Sequence, residues 1–417
     1  MSHPTTLARR LGLADATTIG VGSMVGAGVF AVFAPAARVA GAALLVGLLL
    51  AAVVAFCNAT SSAQLAAVHP VAGGSYAYGR AELGPWSGFA AGWSFIIGKT
   101  ASCAAMALTF AAYLVPDGWA QRLVAVAAVL ALAAINYRGI TRTALATRLI
   151  VAVVVTVLMV WTASNLAIDG PRHLAGLSIE PTILGTLQAA GLLFFAFAGY
   201  ARIATMGEEV RDPGRTIPRA IIAALAIALT IFVAVALTLL DRLGPDALAA
   251  STRPVLDAAR AIDPSGALGV AVGAAAALAC LGALLNLMTG IGRTSLAMAR
   301  ERDLPTWFAG IHPRFQVPHR AEVALAVAVS VLVLFGGLRE VISFSSFGVL
   351  LYYTVANAAA LRQREGRRYP RVLQVLGIVL CLALVATLTW KVLVTGVVVL
   401  AVGLLGRAAV LHRRARS

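Results

Sequence analysis

The sequence predicts an all-α polytopic membrane protein with about twelve transmembrane helices. Its 417 residues are 60% hydrophobic and only 12% charged, and a soluble globular protein carries about twice that charged fraction. Apolar stretches recur along the whole chain, and each is long enough to cross a bilayer, which takes roughly 20 residues. We number these predicted spans one to twelve; they cover approximately residues 14–39, 41–67, 84–114, 120–137, 142–167, 182–207, 218–240, 265–300, 321–337, 340–361, 372–390 and 392–411.

The distribution of basic residues predicts the orientation of the chain in the membrane. With both termini on one side, 23 of the 33 Lys and Arg residues lie on that side and 7 on the other, whereas Asp and Glu divide almost evenly. This asymmetry is the positive-inside pattern, so we expect both termini in the cytoplasm. The net charge of +16 is then explained by the basic residues on the cytoplasmic side, including the basic tail near anionic membrane lipid. No nucleic-acid partner is expected.

Several classes of function lack the residues that they need. The four cysteines lie within apolar spans and form no CxxC pair, so neither a disulfide framework nor a metal site is expected. The chain contains no HExxH, GxSxG or Walker-type motif, and we expect neither an enzyme nor a bound cofactor. No removable signal peptide is expected, and the use of 31 arginines against two lysines suggests GC-rich coding and a bacterial inner membrane.

Two of the predicted spans contain helix-weakening residues near their middle. Span one reads GSMVGAGVF over residues 22–30 and span six reads FFAFAGYARIATM, and each glycine costs a helix roughly 0.8–1.0 kcal/mol relative to alanine. Within hydrocarbon, non-helical backbone is tolerated only where it is buried in protein or lines a polar cavity. Because spans one and six begin two successive sets of five, the paired interruptions indicate a transporter built from inverted repeats.

This interpretation divides the chain into two parts. A transporter core covers residues 1–361, with a first repeat at about 14–167 and a second at about 182–361. Residues 362–417 add two further spans and the basic tail HRRARS.

The polar groups of an interrupted helix suit a zwitterion, because free N–H groups attract an anion and free carbonyls attract a cation. We expect the amides of the GAG sequence to bind a carboxylate and the carbonyls before each break to bind an ammonium group. Close packing of helices through small residues is the alternative explanation of these glycines. The candidate substrate-binding positions at the breaks are Ser23, Met24, Gly26, Ala27, Gly28, Phe195, Ala198 and Gly199.

The motifs also resemble those of the amino acid–polyamine–organocation (APC) superfamily of permeases, which have the LeuT-like five-plus-five inverted-repeat fold. The resemblance lies in IGVGSMVGAGVF, HPVAGGSYAYGRAELGPWSGFAAGW, FFAFAGYARIATMGEEVRDPGRTIPRAI and AMARERDLP, and it covers the chain to about residue 360. It implies carboxylate binding at Ala27 and Gly28, and ammonium binding at the carbonyls of Met24, Phe195 and Ala198. It further implies that Phe195 closes over the substrate.

Two positions depart from the pattern of this family. After FAG and the aromatic Tyr200, relatives often carry Asp or Glu, whereas this chain has Ala201 and Arg202. Residues 149–168 also lack the lysine that some proton-coupled relatives have in span five. A proton or a sodium ion therefore remains open as the coupling ion.

Charged and polar residues within the spans add further candidates. Lys99 matches a polar pocket position of the family, and a charge at a span centre costs about 2.5–3.5 kcal/mol on insertion scales. It is expected to line the pocket as a counter-ion or a titrating group, although it could also snorkel to water. Arg202 is expected to meet Glu208 and Glu209 in a cytoplasmic gate or a structural ion pair. Further gating candidates are Phe195 and Tyr200, and Asn286, Thr289 and Ser295 face either the pathway or neighbouring helices.

The largest outer loop, residues 244–266, contains a predicted short helix. Pro254 is suited to the first turn, and Val255, Ala259 and Ile262 recur at helical spacing. The sequence leaves open whether this helix is a lid or a connector.

These observations together predict a secondary permease that works by alternating access. The aromatic residues Phe194, Phe197 and Tyr200 near Phe195 favour a neutral apolar substrate, and Lys99 favours an acidic one over a cationic one. We therefore expect a neutral or acidic α-amino acid as substrate. A transporter of amines or polyamines and a non-transporting amino acid sensor are the alternatives, and the oligomeric state is left open.

Overall fold

The computed structural model describes residues 11–69, 73–139, 143–167, 172–204 and 210–416. Within these ranges the regular structure is helical, and the one extended pairing is an isolated bridge between Leu11 and Val210. Ten helical segments of the described residues are long and apolar enough to cross a membrane. The predicted all-α polytopic class is therefore confirmed.

Each predicted span corresponds to one or more helices. Spans nine and eleven, at 17 and 16 residues, are shorter than the ten other segments. Span one comprises the helices Leu13–Val25, Ala27–Ala31 and Phe33–Ala40, and span six comprises Ile183–Phe197, a 3-10 turn at Ala198–Tyr200 and Ala201–Ala204. The other spans are, in order, Leu44–Val68, Pro85–Leu114, Trp119–Tyr137, Thr143–Ala167, Pro213–Ala250, Ala267–Arg300, His319–Phe335, Leu338–Arg362, Arg371–Ala386 and Trp390–Arg416.

Both predicted interruptions are present, and each has a local backbone cause. Gly26 has φ −57° and ψ −131°, a conformation outside the helical region that ends one helix and allows the next to begin at Ala27. In span six, the α-helix changes to a tighter 3-10 turn at Ala198–Tyr200. Both changes free backbone groups from the regular hydrogen-bond ladder of the helix.

The two interruptions contact each other through glycines. A Cβ atom placed on Gly199 would lie 2.3 Å from the carbonyl carbon and oxygen of Ser23. A Cβ atom placed on Gly28 would lie 2.7 Å from both the Cα and the Cβ of Ala196. The close-packing explanation of these glycines therefore holds, and it brings the backbones of spans one and six together.

The spans differ in how deeply they are buried. In the most apolar 18-residue stretch of span three, 83% of the residues are buried. The corresponding share in spans four and twelve is 17%. Spans one, six and ten are also buried over more than half of this stretch. The interrupted spans consequently lie in the interior, and the exposed apolar faces of spans four and twelve are suited to lipid.

The AMARERDLP motif belongs to a charged cluster at the C-terminal end of span eight. The carboxylate of Asp303 accepts hydrogen bonds from Arg80 at 2.8 Å, from Arg407 at 2.9 Å and from the hydroxyl of Tyr76 at 2.9 Å. Arg80 also pairs with the more exposed Glu301 at 2.9 Å. Burial, together with the hydrogen bond to Asp303, raises the pKa of the Tyr76 phenol, so this hydroxyl remains a donor. The cluster ties span twelve to the loop that follows span eight.

The predicted outer helix is also present. It runs over Pro254–Ile262, begins with the proline, and buries the apolar positions expected from the sequence. The Arg38 guanidinium at the outer end of span one donates a hydrogen bond to the carbonyl of Ala249 at 2.9 Å. The outer loop is therefore packed on the bundle and joined to span one.

The four thiols lie deep in the helix bundle. Cys57, Cys103, Cys280 and Cys381 are all free and buried. They occupy core positions in spans two, three, eight and eleven.

Substitution of Gly199 by alanine is expected to impair both folding and transport. The added methyl group has to displace the backbone of span one at Ser23, because no flexible side chain is there to move. We expect a lower unfolding temperature in detergent and a lower rate of solute uptake.

The matched control is Gly273→Ala in span eight, where a Cβ meets nothing within 4 Å. This variant should gain up to about 1 kcal/mol from the better helix propensity of alanine. Equal thermal stability of the two variants would contradict the backbone contact between spans one and six.

Removal of the Asp303 carboxylate is expected to destabilise the protein strongly. Asp303→Ala leaves the buried Arg407 without its anion. This loss should lower the free energy of unfolding by about 3–5 kcal/mol. Glu301→Ala removes an exposed partner of Arg80 and should change stability by less than about 1 kcal/mol. Thermal unfolding of the two purified variants measures the difference, and a loss of similar size in both would show that Asp303 is not central to the cluster.

Candidate functional site

A small cavity lies where the interrupted helices meet. Its volume is about 30 Å³, which is about the space of one water molecule. Four spans form its wall, namely spans one, three, six and eight. Its lining residues are Ser23, Phe95, Lys99, Ala198, Gly199, Ala201, Arg202, Ala283, Asn286, Leu287 and Gly290. Five of the sequence-predicted site residues are among them.

Lys99 reaches the carbonyl group at the break of span six. Its ammonium nitrogen Nζ donates a hydrogen bond to the oxygen of Ala198 at 3.1 Å, and the residue is only 4% exposed. Span three holds the lysine beside the 3-10 turn, so the side chain faces the cavity rather than extending to water. Lys99 thus donates to the same carbonyl that the sequence analysis predicts as an acceptor for the ammonium group of a substrate.

Arg202 brings a second cation to the same wall. Its Nη1 atom lies 3.8 Å from the position that a Cβ of Gly290 would take, so the guanidinium lies against span eight. Glu208 and Glu209, its predicted partners, lie outside the described residues. Among the described residues that line the cavity, two are cations and none is a carboxylate.

The remaining predicted positions at the breaks do not line this cavity. Met24, Ala27, Gly28 and Phe195 are buried in the surrounding core. Gly26 borders a separate, smaller space of about 20 Å³ between spans one, five and eight. Their roles in substrate binding remain predictions.

The aromatic residues of span six pack between helices. The ring of Tyr200 stacks on that of Tyr353 at a centroid distance of 5.1 Å, and Phe194 meets the same ring edge-on at 5.9 Å. Phe197 packs on span seven, so none of these three rings contributes to the cavity wall. The aromatic residue that lines it is Phe95 of span three. Gating by Tyr200 remains a prediction.

Five lining residues escape the sequence argument, namely Phe95, Ala201, Ala283, Leu287 and Gly290. For Phe95 and Gly290 a signal exists. Phe95 lies one helical turn before Lys99, so helical spacing places both on one face of span three. Gly290 follows Asn286 at the same spacing in span eight. Of the polar candidates there, Asn286 lines the cavity, whereas Thr289 bonds to the neighbouring span four.

Contacts on both sides of the cavity narrow the access to it. On the side of the N-terminus, Asp15 of span one forms an ion pair with Arg148 of span five. On the opposite side, the hydroxyl of Tyr113 donates a hydrogen bond to the carbonyl of Phe30 at 3.2 Å. Beyond that contact, a vestibule of about 370 Å³ opens between the outer ends of spans one and three and the outer loop. Any solute larger than water therefore requires these spans to move apart.

A helical bundle whose two interrupted spans meet beside a cavity with a buried lysine is typical of a multi-pass membrane transporter. The amino acid permease family matches this chain over residues 11–406. The chain belongs to this family, which confirms its predicted place in the APC superfamily.

Curated relatives agree with this assignment. An uncharacterized transporter of Mycobacterium tuberculosis is 51% identical over 419 residues, which cover 99% of this chain and 94% of that protein. Cationic amino acid transporter 7, chloroplastic, of Arabidopsis thaliana is 29% identical over 92% of this chain and 70% of its own length. Branched-chain amino acid permease BcaP of Bacillus subtilis is 24% identical over 96% and 92%. These names describe transporters, not enzymes.

Substitution of Lys99 is expected to change charge selectivity. Lys99→Met keeps much of the apolar stem, removes the cation and leaves the Ala198 carbonyl open to the ammonium group of a solute. Because a hydrogen bond to a charged group contributes about 1.5–3 kcal/mol, glutamate should bind about tenfold or more weakly, and inhibition by arginine should increase.

The control is Lys391→Met, which removes the other lysine of the chain at an exposed position in span twelve. Competition binding to purified protein measures both variants. Unchanged discrimination between glutamate and arginine in Lys99→Met would contradict a role of this lysine in the site.

Proposed function

We propose that this chain is a secondary active permease for a neutral or acidic α-amino acid and that it works by alternating access. The observation that carries the proposal is the cavity at the interrupted helices, where Lys99 bonds to the carbonyl of Ala198. Arg202 lies on the same wall. A carboxylate gains from both cations, and an added positive side chain is repelled by them.

The apolar part of the wall supports an amino acid with a neutral side chain. Phe95, Ala283 and Leu287 surround the two cations, so an aliphatic group has apolar surface to contact. The related proteins carry the words "cationic" and "branched-chain" in their names. Since these names differ in substrate class, the charge of the cavity decides our choice.

The contacts around the cavity support alternating access. The ion pair between Asp15 and Arg148 lies on one side and the bond between Tyr113 and Phe30 on the other. In the proposed cycle each contact opens in turn, while Phe195, Tyr200 and Arg202 rearrange at the break of span six. The helix Pro254–Ile262 follows the outer half of span one because Arg38 joins the two.

The proposed setting follows from the distribution of charge. We place the protein in a bacterial inner membrane with both termini in the cytoplasm, as the excess of Lys and Arg on one side supports. The gradient that drives transport is then that of the solute or of a coupling ion.

Uptake into reconstituted vesicles tests the substrate class. Unlabelled leucine and glutamate should inhibit the uptake of labelled leucine, whereas arginine and putrescine should be about tenfold or more weaker because of the two cations. Assays at several pH values, with and without sodium, identify the coupling ion.

Two results would contradict the proposal. Stronger inhibition by putrescine than by leucine or glutamate would indicate an amine transporter on the same fold. Saturable binding of amino acids without any uptake or exchange would indicate a sensor.

A further inference from the structure

One buried carboxyl group lies apart from the central cavity. Glu322, in the first turn of span nine, is 3% exposed, and its Oε2 atom has no hydrogen-bond partner among the described residues. The other deeply buried carboxylates differ from it, since Asp303 bonds to two arginines and Asp241 to Arg172 and Asn165. A carboxylate that is buried without such partners is costly, and it favours a group that binds a proton.

Span eight is shaped to receive this carboxyl group. A Cβ on Gly292 would lie 2.8 Å from the Oε1 atom of Glu322 and 3.4 Å from Pro318. Glycine at this position therefore lets the acid approach the backbone of span eight. Glu322 also lies in the first turn of a helix, beside the side chain of Asn136.

Polar side chains lead from the central cavity to Glu322. Asn286 lines the cavity, and Thr289 follows it by three residues on the same face of span eight. The hydroxyl of Thr289 donates to the Oδ1 atom of Asn136 at 3.2 Å. The Asn136 side chain is in turn hydrogen-bonded to the Glu322 carboxyl group. This series links the substrate site with the acid.

A groove leads from Glu322 towards the cytoplasmic ends of the helices. It lies between spans four and nine and has a volume of about 460 Å³. Its wall is mainly apolar, and its polar lining residues are Tyr137, Arg138 and Glu322. The rings of His312 and His319 lie edge-on to that of Tyr137, at 5.3 Å and 6.0 Å. The two imidazole groups thus lie beside Tyr137, which lines the groove.

Charged and titratable groups reach this region from every element that packs on span nine. They comprise Tyr137 and Arg138 of span four, His312 and Arg314 of the preceding loop, His319 and Arg320 of span nine, Arg293 of span eight, and Lys99 and Cys103 of span three. Arg314 and Arg320 lie over the rings of Phe315 and Trp307. The local field is therefore mainly positive, and protonation of Glu322 removes a negative charge from it.

We propose that Glu322 is the proton-binding site that couples amino acid transport to a pH gradient; this rests on the proposed permease function. The carboxylate binds one proton as amino acid is taken up and later releases that proton through the groove to the cytoplasm. No other bond is made or broken. Because span nine packs on spans three and eight, the change of charge acts on the walls of the substrate cavity.

The test compares Glu322→Gln with Glu365→Gln, which removes an exposed carboxylate from a cytoplasmic loop, in vesicles that contain a pH-sensitive dye. Wild-type protein should accumulate labelled leucine or glutamate when the outside is acidic, and the vesicle interior should acidify with it. Glu322→Gln should lose both the accumulation and the acidification but retain exchange of internal for external amino acid. Glu365→Gln should behave like the wild type.

A second variant keeps the acid and moves it. Gly292→Ala places a methyl group against the carboxylate oxygen, so the pH midpoint of uptake should shift while exchange persists. If Glu322→Gln does not fold, an unchanged pH midpoint in Gly292→Ala overturns the proposal.

The proposal fails if Glu322→Gln still accumulates amino acid with proton influx. It also fails if wild-type protein exchanges amino acids without proton influx at any pH, a result that leaves the permease function intact. Absence of amino acid binding and exchange in the wild type would instead overturn the permease function itself.

Discussion

The hydrogen bond between the ammonium group of Lys99 and the carbonyl of Ala198 is the interaction on which the site depends. An interrupted helix inside a membrane exposes backbone groups that need a partner, because hydrocarbon offers none. Here the chain supplies its own cation to the carbonyl at the break of span six. The same bond gives a buried lysine an acceptor, so two costly groups satisfy each other. A solute that carries an ammonium group has to compete with this internal cation.

Close backbone contact determines how much room remains around that bond. Gly199 and Gly28 let span six lie directly against span one, so little space remains between these two spans. Spans three and eight contribute the side chains on the opposite side. Recognition of a solute is thus divided between peptide groups of the interrupted helices and side chains of the intact ones.

Charges of opposite sign occupy different parts of the interior. The cavity wall holds Lys99 and Arg202, whereas the buried acid Glu322 lies on the far side of span eight. In the proposed mechanism, an amino acid carboxylate and a proton therefore have separate places to bind, and packing of the intervening helices connects them. This arrangement avoids direct competition between the two.

Much of the fold was predictable because it depends on local properties of the chain. Span lengths follow from apolar stretches, the break at Gly26 follows from the weak helix propensity of glycine, and Pro254 marks the outer helix. Lys99 was identifiable because a charge at the centre of a span is costly. These signals belong to single segments and need no knowledge of how the segments pack.

The rest of the site depends on contacts between distant segments. A 3-10 turn advances about 120° per residue rather than about 100°, so the faces taken by Phe194 and Tyr200 cannot be read from α-helical spacing. Glu322 looks like a charge at the membrane surface in the sequence, and only Gly292 of span eight makes its burial possible. Such complementarity across helices leaves no periodic signal.

The buried thiols have a practical consequence. Because Cys57, Cys103, Cys280 and Cys381 are all enclosed by packed helices, an alkylating reagent reaches them only when the bundle opens locally or globally. The rate of alkylation therefore reports how often the bundle opens at each cysteine. The natural chain already carries four internal reporters of its own unfolding, distributed over spans two, three, eight and eleven.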